Sequence, residues 1–308
     1  MRKTFFVLGM QKKFYNFAII GLGMVGTAIG HLLSRSGHKI CAVSDKSAAA
    51  LKRALPYTGG KIHRDPRKAV VNADAVLITT TDDNIMAACN DIADRQLLQG
   101  KFVFHMSGAG GLDLLDAARK SGASIACIHP VQSFSSIDNA IRNIPGSVFG
   151  VTAAAKTKKQ AGLIVRDLHG IPVNVSPDQK PLYHAAACFA SNYLVALLNV
   201  VETIYASIGI NETNARKAYM PLIAGTLKNI EASGATKALT GPIARGDAST
   251  IRKHLATIKK TLPQYTALYS ALGLITTEIA KKKGTLNSEQ MNIINNLLKG
   301  ATCNEHTS

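Results

Sequence analysis

A four-residue apolar run, Phe17-Ala18-Ile19-Ile20, leads directly into Gly21-Leu22-Gly23-Met24-Val25-Gly26. Thr27 to Ser36 then places Ala28, Ile29, Leu32 and Leu33 at helical spacing, and Gly37 stands where a helix-ending glycine belongs. Lys39 to Val43 is the next strand. The unit is strand, glycine-rich turn, helix, strand, within about thirty residues. In such a unit the first glycine makes the tight turn and the second lets backbone approach a pyrophosphate. The third allows close helix–strand packing, and the helix N-terminus offers N–H groups and positive dipole to an anion. A glycine turn without a ligand, a methyltransferase and a flavin site are the alternatives at this point.

The alternation continues. Ala75 to Thr79, Phe102 to Met106, Ser124 to Ile128, Ser147 to Thr152 and Ile171 to Val175 read as strands. Leu112 to Lys120 and Lys156 to Leu168 read as helices. This predicts an α/β sheet, mostly parallel, with helices on both faces. After Ser176 the period-2 segments stop. Asp178 is a candidate N-cap, Pro181 suits a first turn, and a long helix is expected through about Ser207. Further helices are expected over Glu212 to Ser233, Ala248 to Leu262, Thr266 to Lys283 and Ser288 to Leu298. The organisation expected is an extension (1–15), a sheet domain (16–175), an all-helical domain (176–300) and a flexible tail (301–308).

With 308 residues two domains are expected, and 46% apolar against 18% charged residues excludes a largely disordered chain. The net charge of +17 favours anionic ligands. Basic residues are spread along the chain, aromatics are only 6% and Trp is absent, which argues against a nucleic-acid platform. Cys41, Cys89, Cys127, Cys188 and Cys303 are scattered, without zinc-ligand spacing, so no metal site and a reducing cytoplasm are expected. Ala185 to Val201 is very apolar, but Ser191, Asn192 and Asn199 interrupt it; it reads as a buried central helix rather than a membrane span.

The end of the second strand should read the adenosine ribose. It carries Ser44-Asp45-Lys46-Ser47, with Lys52 and Arg53 nearby. An acid there favours NAD, and small hydroxyls with a cation favour NADP. The balance favours NADP, with NAD as the alternative and helix capping as another role for Asp45. Thr80 and Thr81, at a strand end, are candidate cofactor contacts, although Asp82 and Asp83 also suit helix N-caps. Ser107, in His105-Met106-Ser107-Gly108, is a candidate for both cofactor and substrate.

Lys180 and His184 are spaced i, i+4, and Ser191 falls on the same helix face with Asn192 adjacent. Polar groups on so apolar a segment need partners, in a cleft or in a buried network. His184 is the first candidate for acid/base work and Lys180 the second. His129, before Pro130, and Asn192 are candidate substrate contacts. Arg245, in Thr240-Gly241-Pro242-Ile243-Ala244-Arg245-Gly246-Asp247, can clamp an anion, or pair with an acid while Asp247 caps a helix.

These motifs, with His129-Pro130, Tyr183-His184-Ala185-Ala186-Ala187 and Ala190-Ser191-Asn192, resemble the bacterial family of Rossmann-like and DUF2520 domain-containing proteins, described as dehydrogenases. More distantly the chain is similar to pyrroline-5-carboxylate reductases, prephenate dehydrogenases and the 6-phosphogluconate and β-hydroxyacid dehydrogenases. The resemblance implies a Rossmann-type domain, a helical domain like the C-terminal domain of 6-phosphogluconate dehydrogenase, an NAD(P) cofactor and a dimer. Lys180 matches the β-hydroxyacid dehydrogenase lysine, but His184 stands where that group has Asn. The expectation is an NAD(P)-dependent oxidoreductase acting on a small, anionic carbonyl, hydroxyl or imine compound. A non-catalytic dinucleotide sensor or scaffold is the alternative.

Overall fold

The computed structural model describes residues 13–302. Most of the expected 1–15 extension and of the 301–308 tail lies outside them. Tyr15 already belongs to the core, stacked on the His38 ring, and Ala301 still lies in the last helix.

Eight strands form one sheet: β1 (Asn16–Ile20), β2 (Lys39–Ser44), β3 (Lys61–Ile62), β4 (Ala75–Ile78), β5 (Phe102–His105), β6 (Ser124–Pro130), β7 (Val148–Ala153) and β8 (Ile171–Asn174). Their spatial order is β3-β2-β1-β4-β5-β6-β7-β8. All neighbours run parallel except β6 and β7, which pair antiparallel with His129 opposite Gly150. Between them run α1 (Met24–Arg35), α2 (Ala48–Thr58), α3 (Pro66–Val70), α4 (Asp82–Ile92), α5 (Arg95–Leu98), α6 (Asp116–Lys120), α7 (Ile137–Asn143) and α8 (Ala155–Asp167).

The sheet is sandwiched by two apolar cores, as the near-continuous apolar strands require. Phe17, Ile19, Leu77 and Phe104 face one side with α1; Ala18, Val76, Ile78 and Val103 face the other with Ile85 and Cys89 of α4. The strand order reverses direction between β1 and β4, and in such sheets ligands sit in the crevice at the carboxyl ends beside that switch.

Contacts divide the chain into 1–192 and 193–308. The first unit runs beyond the change from strands to helices near residue 176, because it includes α9 (Lys180–Ala190). The second holds α11 (Glu212–Ala238), α12 (Ala248–Thr261), α13 (Thr266–Lys283), α14 (Ser288–Thr302) and nearly all of α10 (Asn192–Ser207). Its core is Ile243, Ile251, Leu255, Ala280, Ile294 and Leu298. Gly234, at φ +78°, breaks the helical geometry of α11 just after Ser233.

Several local expectations change. The first helix begins at Met24, inside the glycine motif, not at Thr27. Asp178 is not the cap; Ser176 and Gln179 form a reciprocal capping box before α9. The long helix expected to Ser207 is interrupted at Ser191 (φ −123°, ψ −71°), so Ser191 does not extend the Lys180–His184 face. Nor is this segment a buried central helix. The stretch Pro177–Ser207 is long and apolar enough to cross a membrane by length and composition, and its most apolar window has no buried residue. The apolar pattern marks a surface needing cover, which sequence cannot distinguish from a core helix.

Candidate functional site

The three motif glycines differ physically. Gly21 sits at φ +94° and donates its N–H to the Ser44 carbonyl (2.8 Å), tying the turn to β2. A β-carbon on Gly26 would collide with the Gly21 carbonyl and the Thr79 hydroxyl, so the third glycine is a packing requirement. A β-carbon on Gly23 would meet nothing within 4 Å. Gly23 is also the N-cap of α1, with no side-chain cap and no acid in the first turn. The helix therefore presents free N–H groups and uncompensated positive dipole to open space.

Above this turn lies a cavity of about 520 Å³. The glycine turn (Gly21, Gly23, Met24 and Val25), the end of β2 (Ser44, Asp45 and Lys46), Arg64 and Thr79 to Thr81 line it. Thr80 Oγ1 is buried there without any hydrogen-bond partner. A buried hydroxyl left unpaired is costly, and a ligand with polar oxygens would relieve it. The open glycine, the uncapped helix end and this orphan hydroxyl together fit a dinucleotide.

Asp45 is otherwise occupied. One carboxylate oxygen accepts the Leu22 N–H (2.6 Å), the other the Ser47 N–H (2.7 Å). It clamps the glycine turn and does not cap α2, which Ser47 caps by accepting the Ala50 N–H at 3.2 Å. Lys52 and Arg53 are exposed on α2 and do not line the cavity. Arg64, which sequence reasoning missed, does; it follows a two-residue strand too short to show a pattern.

A second cluster forms where β5 and β6 end. Ser107 is its hub. Its N–H donates to His105 Nδ1 (3.2 Å), its hydroxyl donates to Asp82 (2.7 Å) and accepts the Gly110 N–H (2.7 Å). Its carbonyl accepts Lys180 Nζ (3.0 Å) and the Cys127 thiol (3.1 Å). Asp82 thus joins the loop after β4 to the loop after β5. It does not cap α4; Thr81 holds that position, its hydroxyl accepting from the Asn84 side-chain amide (2.7 Å) and not from a backbone N–H.

Lys180 is 2% exposed, and Nζ also contacts Cys127 Sγ at 3.1 Å. Among the described residues it has no ion-pair partner. It touches the peptide beside the cleft, not open space. Burial first and the Lys180 charge second push His105 and His129 down to about 4. Burial also pushes the Cys127 thiol up, against the pull of Lys180.

His129 and His184 meet over Gly108. A β-carbon on Gly108 would lie 2.8 Å from both Nε2 atoms and would collide with the His184 ring. Their ring centroids are 5.9 Å apart. His129 Nδ1 lies 3.3 Å from the Tyr183 hydroxyl, which is 3.5 Å from the His129 carbonyl. Gly150 on the neighbouring strand makes room for it, because a β-carbon there would lie 2.5 Å from Tyr183 Oη. His184 Nδ1 lies 3.8 Å from Cys188 Sγ, one turn along α9. The first unit therefore brings together Ser107, His129, Lys180 and His184. Asn192 is exposed at its end.

Arg245 lies in the second unit, exposed in a turn where its N–H bonds the Gly241 and Pro242 carbonyls. Asp247 caps α12 through the Thr250 N–H (3.0 Å) and accepts the hydroxyls of Thr250 and Ser249, which hold its carboxyl down to about 2.

A model described as a Rossmann-like domain matches residues 4–130, and the domain of unknown function DUF2520 matches residues 147–276. The chain joins a Rossmann-like domain to a DUF2520 domain. The chain is similar in structure to a protein from Thermotoga maritima (24% identity, TM-score 0.70, covering 87% of this chain and 99% of that one). It is also similar to a proposed NADP oxidoreductase from Bacteroides fragilis (18%, 0.67, 87% and 98%) and to an imine reductase from Myxococcus stipitatus in complex with NADP+ (16%, 0.61, 90% and 98%). At these identities the likeness is one of fold. No curated protein matches the sequence.

Proposed function

We propose that the chain is a nicotinamide-dinucleotide-dependent oxidoreductase that prefers NADP(H). The observation that carries this reading is the glycine-turn cavity with its open Gly23 and orphan Thr80 hydroxyl, joined through Asp82 and Ser107 to a paired-imidazole centre. Bound dinucleotide would supply or accept a hydride at the nicotinamide. Gly21, Gly23, Met24, Val25 and Gly26 would hold the pyrophosphate against the α1 N-terminus. Both Asp45 oxygens already accept backbone N–H groups, so although Asp45 lines the cavity its carboxylate is partly committed to the glycine turn, and Ser44, Lys46 and Arg64 stand beside it at the ribose end. Two cations beside a hydroxyl suit a 2′-phosphate better than a free 2′-hydroxyl. The fold neighbours include imine reductases solved with NADP+ and with NAD+, which supports a nicotinamide dinucleotide without choosing between the two.

His184 and His129 handle the proton, and the buried Lys180 holds the Ser107–Gly108 peptide in place beneath them. Asn192 is the remaining proposed substrate contact of this unit, for a small anionic compound in keeping with the +17 charge, and Arg245 is a proposed anion contact of the second unit. The exposed apolar surface of α9 and α10 supports a homodimer.

The test is Gly23→Asp. A β-carbon there meets nothing, so the fold tolerates the change, while the carboxylate repels a pyrophosphate. NADPH binding should fall at least about 100-fold, on the order of 2.7 kcal/mol, with unchanged melting temperature. Undiminished binding would remove the dinucleotide assignment.

A further inference from the structure

The two imidazoles over Gly108 differ in which nitrogen their neighbours leave free. Tyr183 has two contacts with His129, one to Nδ1 (3.3 Å) and one to the backbone carbonyl (3.5 Å). A phenol donates one proton. It satisfies both contacts only if its O–H goes to the carbonyl and it accepts from Nδ1–H. His129 then carries its proton on Nδ1, and Nε2 is a bare acceptor facing Gly108. At His184 the neighbour of Nδ1 is the Cys188 thiol, 3.8 Å away. A thiol is a weak donor and a weak acceptor, and a thiol S–H directed at Nδ1 would leave the His184 proton on Nε2. Both Nε2 atoms lie beside Gly108, each 2.8 Å from the point its β-carbon would take. They are therefore no farther apart than about the span of one oxygen hydrogen-bonded to both.

We propose that His129 Nε2 as acceptor and His184 Nε2–H as donor form a clamp for a substrate hydroxyl, making the reacting pair an alcohol and its carbonyl. The assignment rests on the oxidoreductase reading and names its substrate class. A hydroxyl donates once and accepts once, matching both nitrogens. A protonated amine or iminium only donates, and would leave the His184 N–H opposed by another donor. On oxidation the hydroxyl proton passes to His129 Nε2, the carbinol hydrogen leaves as hydride to the bound dinucleotide, and the C–O bond becomes a carbonyl. His184 Nε2–H stays on the oxygen throughout, and reduction returns the same proton from His129. Tyr183 and Cys188 are positioning residues that fix the two tautomers.

The test is long-range proton–nitrogen correlation NMR of protein labelled with 15N-histidine, at about pH 8 where free imidazoles are neutral. The expected spectrum shows His129 as the Nδ1–H tautomer and His184 as Nε2–H. Tyr183→Phe should move His129 to a mixture of tautomers. Cys188→Ala should do so for His184, and Cys188→Ser should restore it. Racemic lactate with NADP+ should shift both rings, and pyrrolidinium neither. His129 found as Nε2–H, a Tyr183→Phe spectrum like the wild type, or rings unmoved by lactate would overturn the clamp. NADPH titration of the same samples reads the dinucleotide assignment separately: its failure with intact tautomers removes the oxidoreductase reading, not the tautomer pair.

Discussion

Thr80 and Lys180 are both buried at a stability cost that the chain alone does not explain. The Thr80 hydroxyl has no partner, so Thr80→Val replaces an unsatisfied polar group with a methyl of similar shape. Melting temperature without ligand should rise, by the equivalent of about 1 kcal/mol, while NADPH binding weakens about 5-fold. A loss of stability together with unchanged binding would mean the hydroxyl has another role. Lys180 acts through charge. Unfolded imidazoles titrate near 6.5, but His105 and His129 are held at about 4 by burial and then by Lys180. Between those values the unfolded chain binds more protons. Stability from these groups is therefore complete above about pH 6.5 and is lost as pH falls to about 4. Lys180→Met removes the charge at similar volume, so the fall in melting temperature over that window should become shallower. An unchanged slope would show that burial alone sets both imidazoles. None of this was legible in the sequence. His129 and Lys180 stand out as residue types, but their meeting at Ser107 depends on β5, β6 and α9 converging. Arg64 follows a two-residue strand with no local pattern, and Cys127 lies in a readable strand whose pattern says nothing of its meeting with Lys180.

Elements with a strong local signal were readable. The strand, glycine turn and helix from Phe17 to Arg35 depend on neighbours within one turn, so spacing suffices. Ser191 misleads because no Gly or Pro beside it announces the interruption between α9 and α10. The same segment shows the limit of apolar pattern, which reports the need for cover and not its source. Leu182 (79% exposed) and Val195 (68%) lie along it. With a second copy as the cover, light scattering should give about twice the 32.7 kDa chain mass, and Val195→Glu should lower it toward the single-chain value. A monomer in the wild type, or partition into lipid vesicles, would contradict the homodimer.

At the scale of the molecule, the sheet order brings the carboxyl ends of β1, β2, β3 and β4 to one crevice, and the cavity-lining groups discussed follow those strands. Charge balance pointed toward an anionic ligand but could not place it, since +17 is a sum over the whole chain and the relevant cations are Lys46 and Arg64. The most direct measurement is therefore calorimetric titration of the wild-type protein with NADPH and with NADH, repeated on Arg64→Ala. The account predicts saturable NADPH binding at least about tenfold tighter than NADH, roughly 1.4 kcal/mol, with the preference lost in Arg64→Ala and NADH affinity unchanged. Binding of neither nucleotide, or a preference for NADH that survives Arg64→Ala, would contradict it.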